Sequence, residues 1–278
     1  MGLREDSATW GCFKCEQGGK TPGFLIKALL GCSWNEANKH FTDQDWHSGD
    51  LGDLRRKLDN LGVSKEPDRT LRPWRVPREL QPLTPEHGRA DVFYDYLNRR
   101  GLPDESAERY GLRVATSGEF RWRLCFPFMV GGAVVGMTGR HVGDDKQRYH
   151  TQPANVTSQT VYNYDNAAEL GHGDALVLVE GPVDTVVLDW HFYKQELPSS
   201  AIGMAGLVRG SGKFLAIVEL SKQYDRTLVL FDPKAESRAL SMAEELRTAG
   251  ACASARRVFD GRDDPGEYSA ADAARLVS

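Results

Sequence analysis

The chain has 278 residues, of which 40% are hydrophobic and 27% charged, and its formal net charge is −4. This composition is typical of a soluble protein with a sizeable core, and no apolar run approaches the roughly 20 residues that cross a bilayer. The first residues, Met1–Asp6, lack the apolar segment of a secretory signal. We therefore expect a cytoplasmic protein without a membrane partner.

The cysteine and arginine distributions say more than the totals. Five cysteines are present, and their odd number and mostly isolated positions argue against a disulfide framework. Only Cys12 and Cys15 have the spacing of a metal-binding pair. Arginines concentrate in residues 54–124, whereas acids are frequent in the C-terminal half. This distribution fits a polyanion held near carboxylates, and it also fits solvated helix faces.

The N-terminal third carries few strong signals. Residues 10–20 form a Cys- and Gly-rich turn region, and apolar residues recur at helical spacing over 23–42. Residues 43–85 are polar and proline-rich, which indicates a linker with one short helix near 51–61.

The middle of the chain predicts helices followed by a hairpin. Residues 90–111 show helical spacing that Gly101 interrupts, so two helices are expected. Residues 122–142 contain two apolar runs separated by Gly131-Gly132, which predicts two antiparallel strands joined by a turn.

After residue 174, short apolar strands alternate with helical segments. The strands are predicted at Ala175–Val179, Ala201–Gly203 and Thr227–Phe231, and the helices near 183–194, 212–223 and 235–248. Strands that are apolar on both faces and alternate with helices form a parallel sheet. The predicted fold class is therefore α/β.

Two of these strands are followed directly by an acid. Glu180 follows Val179, Asp232 follows Phe231, and Asp184 lies one helical turn beyond Glu180. Ligands of open parallel sheets bind at the carboxyl ends of the strands, where carboxylates suit Mg²⁺ and phosphoryl chemistry. We favour a functional role for Glu180 and Asp232. For Asp184 alone, a residue favoured by the helix dipole is an equal alternative.

Several segments resemble a known family. Val179-Glu180-Gly181-Pro182-Val183-Asp184 resembles the glutamate motif of TOPRIM domains, and Leu228-Val229-Leu230-Phe231-Asp232 the start of their Asp-x-Asp motif. Residues 95–102, 123–149 and 261–268 are similar to the core start, the basic subdomain and the closing TOPRIM element of bacterial and phage DnaG-type DNA primases. TOPRIM domains also occur in topoisomerases and nucleases, so their motif specifies a fold better than a function.

This resemblance implies a DNA primase that makes short RNA primers from NTPs on single-stranded DNA during replication. Catalysis would rest on Glu180, Asp184 and Asp232, with Mg²⁺ or Mn²⁺ held by Glu180 and Asp232. By the same resemblance, Arg123, Arg140 and Arg148 contact template and nucleotide. We add Lys234, beside the acidic motif, as a further residue that contacts nucleic acid or nucleotide. A surface charge is the alternative for each arginine. A replicative helicase is the partner expected by analogy, and a phage-encoded enzyme would act in the host cytoplasm.

The N-terminal segment resembles half of a zinc site. Trp10–Gly19 is similar to the second half of the primase zinc ribbon, with Cys12 and Cys15 as a partial Zn²⁺ site. A structural zinc needs four ligands, and no Cys-x-x-His pair precedes these two. Three explanations remain open: a truncated N-terminus, a second chain that completes the site, or loss of the metal.

One departure from the family concerns the acidic motif. The expected Asp-x-Asp is Asp232-Pro233-Lys234, with lysine at the second acid. An ammonium there neutralises nearby acids and discourages one of the cations. Two alternatives to a primase follow: a TOPRIM nuclease, and a catalytically impaired, primase-derived nucleic-acid-binding protein.

The predicted organisation has four parts. Residues 1–45 form a partial zinc-ribbon-like segment with helices, and 46–85 a linker. Residues 86–172 form the N-terminal α+β basic subdomain of the primase core, and 173–278 the TOPRIM-like parallel sheet with flanking helices.

Overall fold

A computed structural model of the chain describes residues 71–143, 147–206 and 211–278, together with three short N-terminal strands. The chain divides into two compact units, Met1–Arg69 and Thr70–Ser278. Within the described residues, no helix is both long enough and apolar enough to cross a lipid bilayer.

The first unit contains a small antiparallel sheet in the order β1-β2-β3. Its strands are β1 (Gly2–Arg4), β2 (Thr9–Gly11) and β3 (Gly18–Gly19). The helices predicted over 23–42 and near 51–61 lie outside the described residues, as do Cys12 and Cys15.

The second unit begins with two helices and a five-stranded antiparallel sheet in the order β4-β5-β6-β7-β8. Its elements are β4 (Gln81–Pro82), α1 (Ala90–Asn98), α2 (Glu105–Arg109), β5 (Arg113–Ala115), β6 (Arg123–Val130), β7 (Ala133–His141) and β8 (Tyr149–Gln152). The predicted hairpin is confirmed as the β6–β7 pair. Gly131 and Gly132 form its turn with φ of +61° and +78°, a region that favours glycine.

The parallel sheet follows, in the order β10-β9-β11-β12. In chain order the elements are α3 (Val156–Gln159), α4 (Tyr164–Glu169), β9 (Gly173–Val179), α5 (Pro182–Lys194), β10 (Ser199–Gly203), α6 (Ser211–Ser221), β11 (Tyr224–Leu230), a 3₁₀ turn (Pro233–Ala235), α7 (Glu236–Thr248), β12 (Ala253–Arg256), a 3₁₀ turn (Pro265–Glu267) and α8 (Ala270–Val277). All three strand pairings are parallel, which confirms the predicted α/β architecture.

All three predicted strands begin earlier than their apolar runs. β9 begins at Gly173, β10 at Ser199 and β11 at Tyr224, because residues outside the apolar runs extend the strands at their amino ends. Ser199 and Ser200 are nevertheless buried. Ser200 Oγ donates a hydrogen bond of 2.6 Å to Asp189 Oδ1, so its hydroxyl has a partner inside the core. Hydrophobic periodicity does not predict the burial of such a polar residue.

The antiparallel sheet shares a core with α5, the first helix after β9, within the second unit. Phe126 and Phe128 of β6 pack in the same buried cluster as Phe93 of α1 and Val186 of α5. A buried carboxylate, Asp189 of α5, joins the two halves by polar contacts. Its Oδ2 accepts a 2.8 Å hydrogen bond from the Tyr110 hydroxyl, and its Oδ1 accepts one of 2.9 Å from the backbone N–H of Ala201. Tyr149, the first residue of β8, lies near the amino end of α5, at Gly181.

Candidate active site

The carboxyl edge of the parallel sheet gathers the acids that the sequence singled out. Glu180 directly follows β9, and Asp232 lies two residues beyond the end of β11. These two strands are neighbours, with Leu178 paired to Val229, so both chains leave the sheet side by side. Glu180 and Asp232 interact electrostatically as a result.

Asp184 joins this group from the first turn of α5, and Asp264 joins it from the loop after β12. Asp264 was not among the predicted site residues. A Cβ placed on Gly266 would lie 2.7 Å from Asp184 Oδ1 and 2.9 Å from Asp264 Oδ1. Glycine at this position therefore permits the close approach of the loop to α5. Asp264 Oδ1 is buried and has no hydrogen-bond partner among the residues that the structure describes.

Burial and neighbouring carboxylates raise the pKa values of three of these acids, Glu180, Asp184 and Asp232. Burial raises the pKa of Asp184 to about 7, Asp264 and Asp232 add to the shift, and Arg100 opposes it. The pKa values of Glu180 and Asp232 are also raised, first by burial and then by a neighbouring carboxylate. Like charges disfavour ionisation of each other, so this edge of the sheet favours the binding of cations.

Three cationic side chains border the acids. Arg238 of α7 donates to Glu180 with Nη2–O distances of 3.3 and 3.5 Å. Arg100, just after α1, places Nη1 3.9 Å from Asp264 Oδ2. Lys234 is exposed on the 3₁₀ turn and interacts with Asp232.

Arg140 reaches the edge of the site through Tyr149. Its guanidinium lies 5.1 Å from the centroid of the Tyr149 ring. The Tyr149 hydroxyl is 3.7 Å from the position that a Cβ on Gly181 would take, beside Asp184. The Tyr149 residue is 38% exposed, but desolvation near its hydroxyl raises its pKa to about 12, while Arg140 opposes the shift and Asp184 adds to it. The tyrosine thus stays protonated and available as a hydrogen-bond donor at neutral pH.

The other two predicted arginines are placed differently. Arg148 is exposed, immediately before β8. Arg123 is only 5% exposed, and its Nη1 donates to the backbone carbonyls of Gln147 at 2.9 Å and Arg148 at 3.3 Å. These bonds tie β6 to the segment that leads into β8. Arg123 is therefore a structural support for this segment, a role that a sequence pattern on a strand does not reveal.

The acids do not form a preassembled metal centre. Among the residues that the structure describes, no three His, Cys, Asp or Glu side chains converge as a metal site. The donor chemistry nevertheless fits Mg²⁺, which usually binds through one or two carboxylates with water and substrate phosphates as further ligands. The unpartnered Asp264 Oδ1 and the raised pKa of Asp184 support this fit.

Sequence reasoning left three neighbours of the site unassigned: Arg100, Arg238 and Asp264. Arg100 and Asp264 lie in segments that resemble primases, so their motifs carried a signal. Arg238 lies on α7, and helical spacing alone does not show that it faces Glu180.

Comparisons with known proteins find solved structures of similar fold. No protein-family model and no curated protein matches the chain. A DnaG primase catalytic domain bound to single-stranded DNA superposes with a TM-score of 0.54 and 21% identity, covering 69% of this chain and 74% of that chain. The RNA polymerase domain of Mycobacterium tuberculosis primase DnaG, in complex with double-stranded DNA, gives 0.56 and 19%, covering 68% and 73%.

The chain has a primase-like fold. It is a mixed α/β structure with a parallel sheet and flanking helices, similar to the catalytic domains of DnaG primases. At these identities the similarity is one of fold, and function has to be argued from the site.

Proposed function

We propose that this chain is a DnaG-type DNA primase, a nucleotidyltransferase that makes short RNA primers on single-stranded DNA in a phage-like replication system. One observation carries the proposal: in a primase-like fold, Glu180, Asp184, Asp232 and Asp264 gather at one edge of the parallel sheet. In this proposal residues 173–278 are a TOPRIM domain and 86–172 the basic subdomain.

The carboxylates would hold Mg²⁺ or Mn²⁺. Glu180 and Asp232 are the proposed ligands, and Asp184 and Asp264 complete the acidic environment. Bound there, a divalent cation supplies charge stabilisation to the triphosphate of the incoming nucleotide. Zn²⁺ at Cys12 and Cys15, completed by a second chain, is a separate proposal for the N-terminal unit.

The chain's own cations would position the phosphates. Arg140 and Arg148 border the segment between β7 and β8, and Arg100 stands beside Asp264. Guanidinium groups bind phosphate through two parallel hydrogen bonds, which fixes orientation as well as charge. Lys234 would add an ammonium beside Asp232, where it offsets part of the negative charge with no second metal required. A replicative helicase remains the expected partner.

Two alternatives use the same site. A TOPRIM nuclease would use these carboxylates to cleave DNA and would have no need of NTPs. An impaired, primase-derived protein would bind nucleic acid without chemistry, and Lys234 is the residue that favours it.

A single assay separates the three functions. The full chain is incubated with single-stranded DNA, a pre-annealed primer, labelled NTPs and Mg²⁺ or Mn²⁺. Labelled RNA that disappears in Glu180→Gln and persists in Asp174→Asn supports the primase. Asp174 is a matched control because it is exposed at the opposite end of the same strand, β9. DNA shortening without synthesis indicates the nuclease, and binding with neither product rejects both enzymes.

A further inference from the structure

Arg238 forms an ion pair with Glu180, one of the two proposed metal ligands. Arg238 Nη2 lies 3.3 Å from Oε1 and 3.5 Å from Oε2 of Glu180, so one guanidinium nitrogen faces both carboxylate oxygens. The same side chain interacts with Asp232. A permanent positive charge therefore stands against both acids to which we assign the divalent cation.

A guanidinium and a divalent cation compete for such oxygens. Both need the same lone pairs, and their like charges repel at short range. The side chains of Arg238 and Glu180 are 39% and 24% exposed, so the pair is accessible to ions from solvent. Partly exposed ion pairs contribute little net stability, which makes an exchange energetically feasible.

We infer that Arg238 is an exchange residue: it neutralises Glu180 in the metal-free protein, is displaced by the divalent cation, and then binds the phosphates of the incoming nucleotide. The displacement depends only on the observed pair and the acidic site. The transfer to phosphate rests on the proposed function. A planar guanidinium released at the rim of the site suits this second role, because its donors match phosphate oxygens.

A purely structural pair is the alternative. In that case Arg238 only holds α7 against the end of β9. Its loss would make the site less ordered and would weaken the binding of both Mn²⁺ and ATP. Exchange predicts effects of opposite sign, because removal of the guanidinium removes a competitor of the metal and a ligand of the phosphates. Two binding measurements therefore separate the hypotheses.

The first measurement is Mn²⁺ binding to the full chain without nucleotide, followed by electron paramagnetic resonance of the free ion. We expect Arg238→Gln to bind Mn²⁺ about 5- to 10-fold more tightly than wild type. The second is calorimetric titration with ATP at saturating Mn²⁺, where the same variant should bind about 10-fold more weakly. Thermal melting monitors the fold of each variant.

Arg257→Gln is the matched control. It removes another arginine–glutamate pair of α7, in which Arg257 Nε lies 2.6 Å from Glu236 Oε1. Arg257 is 82% exposed. Both affinities should stay within about twofold of wild type in this variant, because a solvated pair contributes little.

Several outcomes overturn the exchange. Mn²⁺ affinity that is unchanged or lower in Arg238→Gln does so, and so does the absence of measurable Mn²⁺ binding to both proteins. If Arg238→Gln does not fold, Arg238→Lys tests the exchange instead, because lysine keeps the positive charge and lacks the planar guanidinium. It should keep the wild-type Mn²⁺ affinity within about twofold and bind ATP about threefold more weakly, and unchanged ATP binding rejects the inference.

The two proposals can fail separately. Opposite shifts in Mn²⁺ and ATP affinity without any RNA synthesis would keep the exchange and remove the primase function. RNA synthesis by wild type with no Mn²⁺ shift in Arg238→Gln would keep the primase and remove the exchange.

Discussion

Asp184 and Asp264 approach each other at Gly266, where a Cβ would lie 2.7 Å from Oδ1 of the first and 2.9 Å from Oδ1 of the second. Distances this short leave no room for a methyl group without a shift of the carboxylates. The geometry of the acidic site therefore depends on a residue that carries no functional group.

Gly266→Ala should damage the site more than the fold. The added methyl group displaces one or both carboxylates, and small misplacements of catalytic groups reduce rates strongly, so we expect at least a 10-fold loss of primer synthesis. The stability loss should be about 1–3 kcal/mol. Gly88→Ala is the control, because nothing lies within 4 Å of its Cβ position. Equal activity in both variants would contradict the role given to Gly266.

Asp184→Asn should stabilise the metal-free protein at neutral pH while abolishing activity. The folded-state pKa of about 7 lies above the ordinary value of 3.8, so the folded state binds the proton more tightly. The contribution of the protonated carboxyl to the free energy of unfolding is fully present below about pH 4 and is lost as the pH rises to about 7. At pH 8 the variant should gain up to about 4 kcal/mol. Urea unfolding with EDTA at pH 4.5 and 8 measures the difference, and Asp174→Asn should show none.

Lys213 should give the protein a second pH dependence. Its buried ammonium donates to the carbonyls of Met204 at 2.6 Å and Gly206 at 3.0 Å, and burial lowers its pKa to about 8. The unfolded chain holds this proton up to about pH 10.5, so the free energy of unfolding should increase by up to about 3 kcal/mol as pH rises from 8 to 10.5. Lys213→Met should lack this increase in urea titrations.

Lys222→Met is the control for that experiment, because Lys222 is exposed just after the same helix, α6. It should keep the wild-type pH dependence. Lys213 also supports the site indirectly, since the backbone N–H of Ala205 in the segment it holds donates a 2.9 Å hydrogen bond to the carbonyl of Glu180. Faster hydrogen exchange at Ala205 in Lys213→Met would report the loosened segment, and unchanged exchange would argue against it.

Asp189→Ala should be among the most destabilising single changes. It deprives Tyr110, Ser200 and the backbone N–H of Ala201 of their acceptor inside the core. Because these buried donors would be left unpaired, we expect the free energy of unfolding to fall by about 3–5 kcal/mol, measured by denaturant unfolding. Asp225→Ala, at an exposed position of β11, should change stability by less than about 0.5 kcal/mol. A similar loss in both variants would contradict the buried network.

The sequence determined the local architecture of the second unit. Apolar runs followed by helical spacing predicted β9 with α5 and β11 with α7, and the Gly131-Gly132 pair predicted the turn between β6 and β7. These features depend on residues close in the chain, because side-chain periodicity and turn chemistry are local properties. The same patterns placed Glu180 and Asp232 at strand ends.

Only the tertiary structure decided which groups meet. The sheet order sets β9 beside β11 and so joins Glu180 to Asp232, while the return of the chain after β12 brings Asp264 to Asp184. Packing also buried Arg123, which the resemblance to primases had assigned to nucleic acid, and turned Arg238 toward Glu180. Spacing along a chain encodes the face on which a residue lies, but distances between remote residues depend on strand pairing and core packing, which no local pattern contains.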